Sequence, residues 1–258
     1  MPTATAATVT ADPPTSYVIQ NLVLSTLSAA DFELLRPLLV PVELKRNAIL
    51  HDTNKPVEAV HFIESGVLSR VARTQLDGPV EVAMVGRFGF VGVSVVLGTM
   101  AALQRTVVQV PGLALRIDAN DLQRVMQQSP SIRDHLLRYV QLLLMQKAQL
   151  SLCNAKHEID KRVARWMLLA RERLQSDQLP VTHDLLASML GVRRPGVSEA
   201  LAALESEAIV QRSRGSLQIL DVESLRHKSC ECYRIIHDRF GMLREMNQHE
   251  HVLEIGED

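Results

Sequence analysis

The sequence predicts an α+β protein with a β-rich N-terminal half, one long central helix, and a small C-terminal domain of helices and a β-hairpin. Three observations carry that expectation. Short apolar runs separated by turn signals fill residues 42–117. A helical stretch with an apolar residue at alternating steps of four and three follows Ser129-Pro130. Two short helical patterns flanking Gly191 then precede two short strand-like runs.

Size and composition agree with this plan. The 258 residues suggest two domains at roughly 100–200 residues each. Hydrophobic residues make up 47% of the chain and aromatics only 3%, so the core must be built from aliphatic side chains. The net charge is −1, so any contact with a polyanion must come from a local patch. An odd set of cysteines, Cys153, Cys230 and Cys232, argues against a disulfide framework and for a reducing cytoplasm. No signal peptide is evident. The apolar run Phe90–Leu103 is shorter than the roughly 20 residues of a membrane span and reads as buried core.

Residues 1–20 are expected to form a disordered tail, with Thr, Ala and Pro dominating its first sixteen. Ser28 opens a short helix through Leu39. Val57–Ile63, Val67–Val71, Val80–Val85, Thr106–Val110 and Leu113–Ile117 read as strands, with Gln75-Leu76-Asp77-Gly78 as a hairpin turn. Their spacing suggests a β-sandwich of the jelly-roll kind over residues 21–130. Asp118 caps a short helix ending at Gln128.

Residues 131–158 are expected to form the long helix. Leu136, Val140, Leu143, Lys147 and Leu150 make a coiled-coil-like seam interrupted by the lysine, and Leu137, Leu144 and Ala148 make a second stripe. One stripe is free to face the sandwich and the other a partner; the first is taken as the dimer seam. Ile159–Leu174 is a further helix, with Lys161, Arg162, Arg165, Arg171 and Arg173 assigned to its polar face.

Residues 159–225 hold the reading element. Thr182 caps a helix containing Leu185, Leu186, Ala187, Met189 and Leu190; Gly191 turns the chain; a second helix runs from Arg194 to Ser206 with Pro195 in its first turn. Val197, Ala200, Leu201 and Leu204 lie on one face. Ala208–Val210 and Leu217–Leu220, joined by Ser213-Arg214-Gly215-Ser216, make a wing. The second helix displays Arg193, Arg194, Ser198 and Glu199, residue types that read base edges in the major groove. Thr182, Arg212, Ser213 and Arg214 suit phosphate contacts. Asp221 opens a final helical extension spanning 226–258.

From about Leu24 to Tyr233 the chain resembles the superfamily of the cyclic-AMP receptor protein and the fumarate-nitrate regulator, most specifically over Val181–Leu201. The resemblance implies a jelly-roll sensor, a dimerisation helix and a winged helix-turn-helix. It also implies a homodimer on a near-palindromic double-stranded DNA operator, a contact with RNA polymerase if it activates, and no membrane association. The effector positions it implies are Gly92, Ser94, Arg105 and Thr106. Cyclic-AMP binders carry Glu where Val93 stands, so cyclic-nucleotide binding is not expected. The base-reading face also departs from both branches, at Pro195 and Glu199. No cysteine precedes Cys153, so neither an iron–sulfur cluster nor haem is expected, and no cofactor or metal is assigned.

Other chemistries fit the sequence less well. A nucleotide-sensing module acting on a protein partner lacks a use for the wing. A cupin-like metal enzyme would need clustered histidines, and His51 and His61 are too isolated in sequence. His249-Glu250-His251 sits in a polar tail. His227, Cys230 and His237 share a helical face, with Cys232 pointing elsewhere; four tetrahedral ligands would be needed for structural zinc. Cys153, at the end of the seam helix, is placed to pair across a dimer on oxidation.

Overall fold

The computed structural model describes residues 16–73, 79–245 and 252–254. Residues 1–15 of the expected tail, the Gln75–Gly78 turn and His249-Glu250-His251 lie outside the described residues, whereas the tail's last part is ordered, with Ser16–Val18 in a strand and Ile19 buried. The chain divides into two compact units. One comprises residues up to Arg70, Val85–Leu143 and those from Phe240 onward; the other comprises Val71–Met84 and Leu144–Arg239. Among the described residues, no helix is long and apolar enough to cross a membrane.

The first unit begins with β1 (Ser16–Val18), α1 (Leu22–Ser25) and α2 (Ala29–Leu35). Ser28 caps α2 by accepting from the Asp31 amide at 3.1 Å. A 3-10 turn, Arg36–Leu38, ends that segment where Pro37 enters. The strands that follow in chain order are β2 (Val40–Leu44), β3 (Ile49–His51), β4 (Ala59–Ile63), β5 (Val67–Ala72), β6 (Val80–Val85), β7 (Phe90–Val91), β8 (Arg105–Val110) and β9 (Gly112–Asp118), the end of β5 and nearly all of β6 being counted with the second unit. They form two four-stranded sheets, ordered β2-β9-β4-β7 and β3-β8-β5-β6. The sandwich expected from the sequence is therefore present. The Phe90–Leu103 run splits into β7 and α3 (Val93–Val96), with Gly92 at φ 101° making the turn between them.

Every residue of β4 is buried, and Val42, Leu44, Ile63, Leu68, Val85, Val91, Val108 and Ala114 close a core between the sheets. Such burial contributes roughly 25 cal/mol per Å² of apolar surface. Asp118 caps α4 (Ala119–Gln128). The next helix, α5 (Pro130–Lys156), passes from the first unit into the second. Its Tyr139 stacks on Phe90 with ring centroids 4.6 Å apart, against Gly89, where a side chain would collide with the tyrosine ring.

The stripes of α5 are assigned differently from the sequence expectation. Leu136, Val140 and Leu143 are 0%, 6% and 3% exposed, so they are spent on the protein's own core and offer nothing to a partner. Lys147 and Leu150 are half-buried. The open apolar stripe is the second one, where Leu144 is 63% exposed and Leu137 and Ala148 are also exposed. Periodicity identified two faces, but two apolar stripes on one helix look alike until the rest of the fold claims one.

The second unit contains α6 (Ile159–Leu174), β10 (Gln178–Leu179), α7 (His183–Leu190), α8 (Arg194–Ser206), β11 (Val210–Ser213), β12 (Ser216–Ile219), α9 (Val222–Lys228) and most of α10 (Cys232–Glu245). A last strand, β13 (Val252–Glu254), pairs antiparallel with β1. The C-terminal helical run is thus two helices, broken between Ser229 and Glu231.

The polar face assigned to α6 is another correction. Arg162, Arg165 and Arg173 are buried, at 8%, 3% and 3% exposure. Buried guanidiniums need acceptors. Arg173 finds the Leu169 and Met84 carbonyls at 2.8 and 3.2 Å, and Arg162 donates to the Leu190 carbonyl. Charge alone suggested solvent; the carbonyl acceptors that admit these side chains are not visible in a sequence.

Candidate nucleic-acid interface

The reading element is built from local signals. Thr182 caps α7 by accepting from the Leu185 amide at 3.2 Å. Gly191 closes the helix in the left-handed region, at φ 63°, where a side chain is disfavoured. The Val192 amide then donates to the Ala187 carbonyl at 3.0 Å. Pro195 occupies the first turn of α8, where its missing N–H costs nothing. Val197, Ala200, Leu201 and Leu204 are all buried, so register along α8 is fixed and its opposite face is turned outward. Gly196 permits close approach to α6, since a Cβ there would sit 2.9 Å from Ile159 Cδ1.

β11 and β12 pair antiparallel from Val210↔Ile219 to Ser213↔Ser216, and β10 adds to the other edge of β12. Arg214 and Gly215 form the two-residue tip, with Gly215 at φ 81°, the conformation that tight hairpins demand.

The expected base-reading residues divide by engagement. Arg193 and Glu199 are exposed. Arg194 Nε lies 3.3 Å from Asp184 Oδ1, with both side chains over 60% exposed. Such a pair is worth about 0–1 kcal/mol and yields readily to a better acceptor. Ser198 is half-buried, its Oγ 3.0 Å from His183 Nδ1. Burial, then the nearby Arg212 and Arg194 charges, hold His183 below the usual histidine range.

The expected phosphate contacts divide as well. Arg214 and Ser213 are exposed at the wing tip. Arg212 is clamped: its amide donates to Glu205 Oε1 at 2.9 Å and its Nε to Oε2 at 2.6 Å. Those bonds lower the Glu205 carboxyl below its ordinary range. Arg212 thus fixes the wing to α8. Thr182 is exposed but its hydroxyl already caps α7. His183, Asp184 and Glu205 were not singled out from sequence. Their link to Ser198, Arg194 and Arg212 depends on the angle between α7 and α8 and on the return of the wing, which spacing does not encode.

The side chains at the positions implied as an effector pocket are engaged within the fold. Arg105 forks onto Asp52, Nε to Oδ1 at 2.9 Å and Nη2 to Oδ2 at 3.0 Å, and lowers the Asp52 carboxyl. Thr106 is buried opposite His51. Gly92 serves the backbone turn, where a Cβ would meet Val60 Cγ2 at 2.9 Å. Val93 offers no acceptor for a ribose hydroxyl, and the Ser94 carbonyl is taken by the Thr99 amide at 2.8 Å.

The sulfur chemistry is rearranged too. Cys153, Cys230 and Cys232 are free thiols, and with His157 they form one cluster whose ligating atoms lie within 4.8 Å of one another. The expected grouping of Cys230 with His227 and His237 does not form: His237 Nδ1 is 2.7 Å from Glu172 Oε1. Cys153 is fully buried beside Cys230, so it is not exposed for the cross-dimer pairing that its place in the sequence left open.

Residues 161–228 match the Crp-like helix-turn-helix domain family. A sequence search of curated proteins finds no match. Among solved structures, FixK2 from Bradyrhizobium japonicum superposes with a TM-score of 0.66 at 13% identity, covering 74% of this chain and 98% of that one. The c-di-GMP-responsive global regulator CLP of Xanthomonas campestris gives 0.62 at 16% identity, covering 74% and 99%. A transcriptional regulator of the CRP/FNR family from Thermus thermophilus gives 0.61 at 18% identity, covering 73% and 97%. The chain shares their fold. The findings thus agree on a Crp-like helix-turn-helix domain at residues 161–228, set in a fold shared with solved Crp/Fnr-type regulators.

Proposed function

We propose that the protein binds a near-palindromic operator as a homodimer, with one α8 in the major groove of each half-site. The observation that carries this is the exposed N-terminal turn of α8, bearing Arg193, Arg194 and Glu199, beside a wing tip bearing Ser213 and Arg214. An α-helix fits the major groove, and an arginine fork matches guanine O6 and N7. Arg193 and Arg194 take base edges, Glu199 accepts from cytosine N4, and Ser198 joins them through His183. Arg214 and Ser213 take phosphates, while Arg212 holds the wing in place.

The dimer surface is the exposed stripe Leu137, Leu144 and Ala148 of α5. Two copies set the recognition helices about one DNA turn apart, so any signal that rotates the seam alters operator fit. The β-sandwich is the sensor, and its signal is not a cyclic nucleotide bound through Arg105. An activator of this kind contacts RNA polymerase in the cytoplasm.

Selection of bound sequences from a random DNA pool tests the reading, followed by salt titration on the recovered site. The expected result is a two-fold symmetric site whose affinity falls steeply with salt. Recovery of no preferred sequence would overturn it.

A further inference from the structure

The cluster at the end of α5 has no part in reading DNA, and its geometry is that of a ligand set. Cys153 lies in the last turn of α5, and His157 follows four residues later on the same side. Cys230 and Cys232 come from the break between α9 and α10. Cys153 Sγ is 3.5 Å from Cys230 Sγ, and Cys232 Sγ is 3.4 Å from His157 Nδ1. A disulfide requires sulfurs about 2.05 Å apart, so these are separate thiols. Around a tetrahedral zinc ion with Zn–S of about 2.3 Å and Zn–N of about 2.0 Å, ligand atoms sit about 3.8 Å (S to S) and 3.5 Å (S to N) apart. Those two spacings match edges of one mononuclear tetrahedron, and the other separations stay within 4.8 Å. A polynuclear iron–sulfur core would spread its thiolates further than the 4.8 Å found here.

A second observation points the same way. Arg165 is 3% exposed, and its Nε has no hydrogen-bond partner. A buried guanidinium nitrogen without an acceptor is costly. Three thiolates and one divalent ion carry a net charge of −1, opposite in sign to that guanidinium. Gln149 Nε2 donates to Cys232 Sγ at 3.1 Å, the outer-shell bond that orients a ligating sulfur.

We propose that Cys153, His157, Cys230 and Cys232 bind one Zn²⁺ ion that staples the end of α5 to the α9–α10 junction within the winged-helix unit. Binding converts three thiols to thiolates and releases their three protons to solvent, while His157 coordinates as neutral imidazole through Nδ1. No oxidant or reductant is involved. The spacing Cys230-Glu231-Cys232 is one residue tighter than the usual two-residue gap between zinc cysteines, which is why sequence spacing alone did not single it out.

The test uses the full chain, purified with reductant and without oxygen, stripped of metal and titrated with Co²⁺ and then Zn²⁺. The expected result is one Co²⁺ per chain, with intense tetrahedral d–d bands and a thiolate charge-transfer band that Zn²⁺ abolishes. The melting temperature should rise with loading. C153S and C230S should weaken Co²⁺ binding by more than about 100-fold, the upper end of what losing an outer-shell partner costs, and Q149A by about 10-fold. H227A and H237A should bind as the parent does. If the serine variants do not fold, the parent titration and Q149A decide the matter. Reduced parent chain that takes up no Co²⁺, or Co²⁺ bound without a thiolate band, overturns the proposal. So does full binding retained in folded C153S and C230S. None of these readouts depends on DNA, so they stand apart from the operator experiment.

Discussion

The arginines at the start of α8 and at the wing tip are held differently from those of the β-sandwich. In the winged-helix unit, Arg193 and Arg214 stand in solvent, and Arg194 is held only by an exposed carboxylate. In the β-sandwich unit, the arginine at the implied ligand position is forked onto Asp52, and Arg70 donates to Gln104 at 2.6 Å. The first turn of α8 and the wing tip keep Arg193, Arg194 and Arg214 accessible, whereas Arg105 and Arg70 are engaged within the sandwich.

The largest test of the contrast lies on α5, which runs through both units. Leu144→Asp places a charge on the exposed stripe without touching the core. It should convert a dimer to a monomer by light scattering and lower operator affinity by more than about 100-fold, as loss of a second half-site does. If operator binding stays strong in a monomer, the two recognition helices act independently.

The next largest separates the two kinds of free arginine. Arg194→Ala should cost about 2 kcal/mol at one base pair per half-site and relax preference there. Arg214→Ala should weaken all sequences alike and reduce the salt slope by about 1. Binding-site selection on both variants distinguishes them. Identical changes in sequence preference would remove Arg194 from base readout.

A smaller effect belongs to the sandwich interior. His61 is buried, its Nδ1 unpartnered, and burial lowers its pKa to about 3. The unfolded chain takes up a proton below the ordinary value of 6.5, and the folded chain does not. This stability is therefore complete above pH 6.5 and lost as pH falls, by about 1.4 kcal/mol at pH 5.5. Glu64 works in the other direction, since burial raises it to about 6. The measurement is accordingly the difference between His61→Leu and its parent in urea unfolding at pH 7.5 and 5.5. The parent should lose about 1.4 kcal/mol more than the variant. Equal losses would mean that His61 is protonated in the fold.

What the sequence made legible follows the range of the interactions involved. Ser28, Asp118, Thr182 and Asp221 all cap the helices they were expected to cap, because a cap is decided within four residues. Gly191 and the wing were legible for the same reason. The choice between the two stripes of α5 was not, nor were the buried arginines of α6, since each depends on segments remote in sequence. The thiol cluster is the extreme case: Cys153 and Cys230 meet across 77 residues, and the helical period that grouped Cys230 with His227 and His237 was interrupted because Cys230 lies in the break between α9 and α10.

The smallest expected effect is the most informative about the sandwich. The Arg105–Asp52 pair is only partly shielded, at 35% and 40% side-chain exposure, so Arg105→Ala should cost less than about 1 kcal/mol. Its melting temperature and unliganded operator affinity should stay near those of the parent. That near-silence makes it a clean probe. If a candidate nucleotide shifts operator affinity in the parent and not in Arg105→Ala, the fork onto Asp52 is a resting arrangement that an anion displaces. If the response is equal in both, Arg105 serves only the fold, and the signal enters the sandwich elsewhere.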